Sequence, residues 1–207
     1  MRNSNVMGKL TTRDILVIAC AAVLVLAFVV ALPQPAHADQ VTPPSVPTNL
    51  QVPEGSYVFL KGHAIGTQNY ICLPSGNGFG WTFFGPQATL FNEANEQSIT
   101  HFLSPNPSDG TARATWQHSH DTSTVWASAQ ASSTDPQYVA PGAIPWLLLK
   151  VVGSQAGPTG GDRLTGTTYI QRVNTTGGVA PSTGCNRKSD VGSKAFVRYT
   201  ADYFFYR

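Results

Sequence analysis

The sequence predicts an all-β fold: a single domain built as an antiparallel β-sandwich or partly closed β-barrel. Three observations carry this reading. Short runs rich in Val, Ile, Thr, Phe, Tyr and Trp alternate with clusters of Gly, Pro, Asn and Asp. No apolar pattern of helical period lasts eleven residues or more beyond residue 38. The 207 residues include 19 Gly and 15 Pro, a density of punctuation that suits many short strands joined by tight turns.

The first 38 residues stand apart from the fold. Arg2, Lys9 and Arg13 form a basic start, Ile15 to Leu32 is an unbroken apolar run, and Ala36-His37-Ala38 offers the small-x-small pattern of a cleavage site. That order is an export signal, with cleavage expected after Ala38. The 18-residue apolar run is also long enough for the alternative of a retained N-terminal membrane anchor. Val17-Ile18-Ala19-Cys20 has the look of a lipoprotein box, but apolar residues continue well past the cysteine, where such a signal would stop.

The mature chain then begins at Asp39. Residues 39–53 hold four prolines and read as an extended, polyproline-like lead-in rather than core. From Glu54 to Arg207 the runs follow in order. SYVFLKGHAI and TQNYICL read as an opening pair of strands, and GWTFFG as a short aromatic strand ended by Gly85-Pro86, with QATLF after it. SITHFL and RATWQH flank a Pro- and Gly-bearing loop, and STVWASAQAS follows. Ile144-Pro145-Trp146-Leu147-Leu148-Leu149 is apolar throughout and too short for a membrane span, so it requires burial on both faces. TGTTYIQRV comes next. In the C-terminal YTADYFFYR, Tyr199, Ala201, Tyr203 and Phe205 share one parity and Asp202, Phe204 and Tyr206 the other, which predicts an interior strand with aromatic residues on both faces.

Charge narrows the partners. Loss of the leader removes Arg2, Lys9, Arg13 and Asp14 and leaves ten residues of each sign, a formal charge of zero. With Arg187-Lys188 as the one basic pair, the surface lacks the clustered cations that nucleic acid requires. Cys72 and Cys185 remain after cleavage, and two cysteines in an exported domain ordinarily form one disulfide. A catalytic thiol is the competing reading, and an oxidising compartment suits it poorly.

Motifs for chemistry are sparse. The chain has no G-x-S-x-G, no H-E-x-x-H, no phosphate-binding loop and no EF-hand, and nothing in it calls for a cofactor. TWQHSHDTSTVWA at 115–127 is the most suggestive stretch. On a strand, His118 and His120 would point to one face about 6.5–7 Å apart, a spacing that lets two imidazoles share a metal. His101 or Asp121 could supply a third ligand. The bland alternative is a hairpin: Asp121-Thr122-Ser123 is turn chemistry, and β-prone runs flank it. Trp116 and Trp126 would then be neighbours across the strands or lie on opposite faces, according to register. They are also the aromatic candidates for ligand binding.

WTFFGPQATLF, ITHF, DTSTVWA, AIPWLLL, TTYIQRVNTTGG, APSTGC and VRYTADYFFYR in this order resemble a family of small exported bacterial and fungal proteins catalogued as a domain of unknown function. The resemblance covers the chain from about residue 45 to the end, and it implies a β-rich exported domain whose two cysteines pair. It transfers no catalytic residues. Some fungal members are labelled malate dehydrogenase, a label this chain does not support: it has neither a glycine-rich strand–turn–helix fingerprint nor βαβ periodicity. One departure is the insertion LSPNPSDGTARA between Phe102 and Thr115, where the family is shorter. The family turn is commonly Asp-Gly-Ser where this chain has Asp121-Thr122-Ser123.

The sequence therefore favours a secreted or cell-envelope domain, extracellular or periplasmic, without enzymatic activity, that binds a small molecule, a glycan or a surface partner. The alternatives are a metal-assisted or acid–base hydrolase using His101, His118, His120 and Asp121, and a structural envelope protein.

Overall fold

The structure is a computed structural model and describes residues 41–207. The leader, its cleavage after Ala38 and the alternative of a retained anchor lie outside the described residues. Eight strands follow one another: β1 (Val58–Ser75), β2 (Gly78–Phe91), β3 (Gln97–Pro105), β4 (Ala112–His118), β5 (Thr124–Ser133), β6 (Trp146–Gln155), β7 (Tyr169–Gly177) and β8 (Lys194–Tyr206). Each pairs antiparallel with the next, and β8 returns to β1. Of the two expected architectures the barrel is the one formed, and its closure is complete. The β1–β8 ladder runs from Val58↔Tyr206 to Ile71↔Lys194. Strands this long coil with the right-handed twist of any sheet until the first meets the last, and the ring leaves no open edge for another chain to pair with.

Two expected breaks are absent. SYVFLKGHAI and TQNYICL belong to the single strand β1, and GWTFFG and QATLF to the single strand β2. A bulge opposite Asn69 and Tyr70 lets β2 continue, with Gly85 at φ 147°, a backbone that a side chain would strain. Pro86 pairs with Gln68 of β1, but the β2–β3 ladder extends only from Phe91↔Gln97 to Ala88↔His101. Pro86 thus lies beyond that ladder, at the edge position where a residue without an N–H is tolerated.

Both faces of several strands are buried, as the apolar runs require. Inside the barrel, Leu90, Ile99, Trp116, Val125, Ile170, Tyr203 and Phe205 form the main core. Outside it, Trp146, Leu148, Val173, Phe204 and Tyr206 form a second cluster with Leu50 and Val139. This corrects the expectation that the lead-in, residues 39–53, stays out of the core. A short 3-10 turn, Thr48–Leu50, drives Leu50 to full burial, and the Leu50 carbonyl accepts a 2.6 Å hydrogen bond from Gln171 Nε2. The outward apolar face of β6–β8 needs a cover, and one turn of the lead-in supplies it. A single turn has no period to detect.

TWQHSHDTSTVWA is a β4–β5 hairpin. Its register, Thr115↔Trp126 and Trp116↔Val125, puts the two tryptophans on opposite faces. Trp116 is in the main core, whereas Trp126 donates from Nε1 to Ser104 Oγ at 2.8 Å. The disulfide Cys72–Cys185 ties β1 to the loop before β8, and Trp81 Nε1 donates to Thr183 O of the same loop.

Candidate functional site

The two ends of the barrel differ. One is sealed by the β4–β5 turn and the β6–β7 loop. Asp121 Oδ2 accepts from the Arg163 backbone N–H at 2.8 Å, while its Oδ1 accepts from Ser123 N and Ser123 Oγ. Ser123 Oγ in turn accepts from Leu164 N, and Leu164 sits fully buried among the interior side chains. Partial burial pushes the Asp121 pKa up, but the hydrogen bonds from Ser123 and Arg163, aided by nearby His118, outweigh this and hold it at about 2.

The other end is open. The β1–β2 hairpin outreaches β3 once the β2–β3 ladder stops at Ala88, and a cavity of about 440 Å³ enters the barrel there. Phe83 and Leu103, both partly exposed, flank its mouth, and Leu147 and Leu149 line its wall. Polar groups gather deeper: Gln68, His101, Arg172 and Tyr203, with the Trp116 ring among them.

Each of these has a defined state. His101 is buried, stacked on Trp116 at 4.2 Å between ring centres and edge-on to Tyr203 at 5.3 Å. Its Nδ1 lies 2.8 Å from the Thr115 carbonyl, an acceptor, so that nitrogen carries the proton and Nε2 is left unprotonated. Burial lowers the His101 pKa to about 3; the Thr115 bond opposes this and the Arg172 charge adds to it, leaving the ring neutral near pH 7. Burial raises the pKa values of Tyr203 and Tyr199, whose hydroxyls lie 3.4 Å apart, so both are neutral phenols.

Two cations line this cavity, Arg113 at the mouth, paired with Asp109, and Arg172 deeper in. One terminal nitrogen of Arg172 donates to Pro145 O at 2.8 Å, but its Nε is buried with no partner. Among the described residues no carboxylate forms an ion pair with it, and no Asp or Glu lines the cavity. Gln68 Nε2 and Trp116 Nε1 are likewise buried without partners. The Gln68 amide lies near enough to Tyr199 to lower its pKa, yet makes no aligned bond. With Arg113 Nε at the mouth, four donors around one cavity thus lack acceptors, and a buried polar group left so costs about 1–3 kcal/mol.

The histidines fall into separate places. His118, His120 and Asp121 are neighbours at the sealed end, whereas His101 belongs to the cavity. His118 Nδ1 is 3.1 Å from Asp121 Oδ1, out of line for a hydrogen bond, so the contact is electrostatic. Burial lowers the His118 pKa, and Asp121 opposes that shift. The His118 and His120 ring centres are 5.7 Å apart. Among the described residues, no three of His, Cys, Asp and Glu gather where a metal ion could sit. His63 pairs with Asp202 on the outer surface at 2.8 Å. Of the two tryptophans singled out by sequence, Trp116 lines the cavity and Trp126 does not. Sequence reasoning missed Arg172, Gln68 and Tyr203. The one signal was parity: Arg172 shares the inward face of β7 with Ile170, a cation where an apolar residue is expected.

Fold and cavity together define a closed, eight-stranded antiparallel meander barrel with an interior cup open at one end. No curated protein and no solved structure matches the chain. Residues 53–207 match the family described as protein of unknown function (DUF3455), and the chain belongs to that family.

Proposed function

We propose that the protein is an exported, non-enzymatic binder of a small molecule, with the barrel interior as the binding site. The observation that carries this is the open cavity of about 440 Å³ in which buried donors have no acceptor. Eight-stranded barrels have an interior just wide enough for side chains or for one small ligand, and ligand sites pair apolar walls with a few convergent polar groups. A glycan or a protein surface would more naturally be met on an outer face. The disulfide fits an extracellular or envelope location, and among the described residues no helix is long and apolar enough to cross a membrane.

Native mass spectrometry of protein isolated from its own host tests the reading. A small-molecule adduct is expected, released on denaturation and absent from Ala114→Phe, which fills the cavity from its wall. An adduct retained by that variant refutes the interior site. N-terminal sequencing of the same material is expected to begin at Asp39; a start at Met1 would favour the anchor.

A further inference from the structure

We infer that the ligand is an apolar carboxylate whose anionic head lies on Arg172 and whose hydrocarbon body packs against Leu147, Leu149 and Phe83. This rests on the reading of the barrel interior as a binding site and adds the chemical class of the occupant.

The buried side-chain atoms of the cavity lining that lack partners are all donors: Arg172 Nε, Gln68 Nε2, Trp116 Nε1 and, at the mouth, Arg113 Nε. A ligand rich in donors would leave them unsatisfied, whereas an oxyanion presents up to four acceptor sites. Charge points the same way. No Asp or Glu lines the cavity, and the other titratable side chains deep within it, His101 and Tyr203, have pKa values that leave them neutral. The guanidinium is therefore unopposed. An unpaired, partly buried charge is expensive, and a carboxylate is the partner whose planar geometry the guanidinium fork matches. Arg113, at the mouth, already has its charge paired with Asp109 at 3.4 Å, although its Nε has no acceptor, so Arg172 is the cation of the lining without a counter-charge. Preorganisation is built in. Pro145 O fixes one terminal nitrogen of Arg172, so little side-chain freedom remains to be lost on binding. The apolar wall sets the other half of the ligand, since Leu147, Leu149 and Phe83 offer no hydrogen bonds to a polar tail.

Titration calorimetry with 2-naphthoate and its neutral isostere 2-naphthamide tests this on the wild-type chain and on Arg172→Met. The acid is expected to bind the wild type at least about ten-fold more tightly than the amide, a gap of roughly 1.4 kcal/mol. Arg172→Met should remove that preference while holding the amide affinity within about two-fold. Near-UV circular dichroism establishes that the variant folds; should it not, Arg172→Lys keeps the charge but loses the fork and is expected to weaken the acid alone. Equal affinity for acid and amide overturns the anionic ligand and leaves the binding cup standing. Acid binding unaffected by either substitution overturns the role of Arg172. Failure of both probes to bind, with no host-derived adduct, overturns the cup itself and this inference with it.

Discussion

Asp121 offers the sharpest test of how the barrel is sealed. It receives three hydrogen bonds, from Ser123 N at 3.0 Å, Ser123 Oγ at 2.7 Å and Arg163 N at 2.8 Å. A net value of about 1 kcal/mol each, kept at the neutral figure because the side chain is 24% exposed, gives about 3 kcal/mol for Asp121→Ala. Asp121→Asn keeps the Oδ1 acceptor but turns an amide donor toward the Arg163 N–H, or the reverse if the amide flips, so about 1.5 kcal/mol is expected. The pH dependence separates this from simple loss of packing. The folded pKa of about 2 lies below the unfolded value of about 3.9, so the ionised carboxylate contributes fully above about pH 5. The contribution is lost progressively as pH falls through the folded pKa, because protonation favours the unfolded chain. Urea unfolding followed by tryptophan fluorescence at pH 6 and at pH 2 measures both. The Asn variant should be less stable than wild type at pH 6 and close to it at pH 2. A deficit that is equal at the two pH values, or below about 0.5 kcal/mol at pH 6, would refute the staple. Added zinc or chelator should shift neither curve.

Three further outcomes are expected. Replacing Cys72 and Cys185 by Ser should lower stability by about 2–5 kcal/mol, since the bridge closes a separation of 113 residues; an unchanged denaturation midpoint would show that the bridge contributes nothing. Leu50→Ala should cost about 2–5 kcal/mol, the range for a fully buried leucine, and a value within 0.5 kcal/mol of zero would return the lead-in to the status of a tail. Thr122, a β-branched residue at φ 58°, occupies a left-handed backbone position, so Thr122→Gly should raise the thermal midpoint, with a gain of up to about 1 kcal/mol. A lower midpoint would mean that the Thr122 Oγ1 bond to the Asp121 carbonyl outweighs the relieved strain.

Much of the fold was legible because strand physics is local. The apolar run at Trp146–Leu149 and the mixed parity at Tyr199–Tyr206 demanded burial on two faces, and the two clusters inside and outside the barrel are those faces. Turn chemistry at Asp121 placed the hairpin, and the same carboxylate then served as the seal. Closure was not legible. A sandwich and a barrel share the same alternation along each strand, and only the pairing of β1 with β8, across most of the chain, tells them apart. The cup was hidden for a related reason. Gln68, His101, Arg172 and Tyr203 come from four different strands and meet only through register. His101 can be suspected from its chemistry alone, but sequence cannot separate it from His118 and His120, because no local feature shows which end of a barrel an imidazole occupies.

The seam between β1 and β8 has a kinetic consequence. Its partners, Val58 and Tyr206, are separated by most of the described chain, so neither the ring nor the interior core can form until the thirteen residues of β8 have been synthesised. Until then β1 and β7 present bare edges that invite mispairing. Such a chain has a high contact order and folds slowly, and only once β8 is available to close the ring. A stop codon that removes β8 would therefore leave an aggregation-prone meander, with no smaller barrel for it to fall back on.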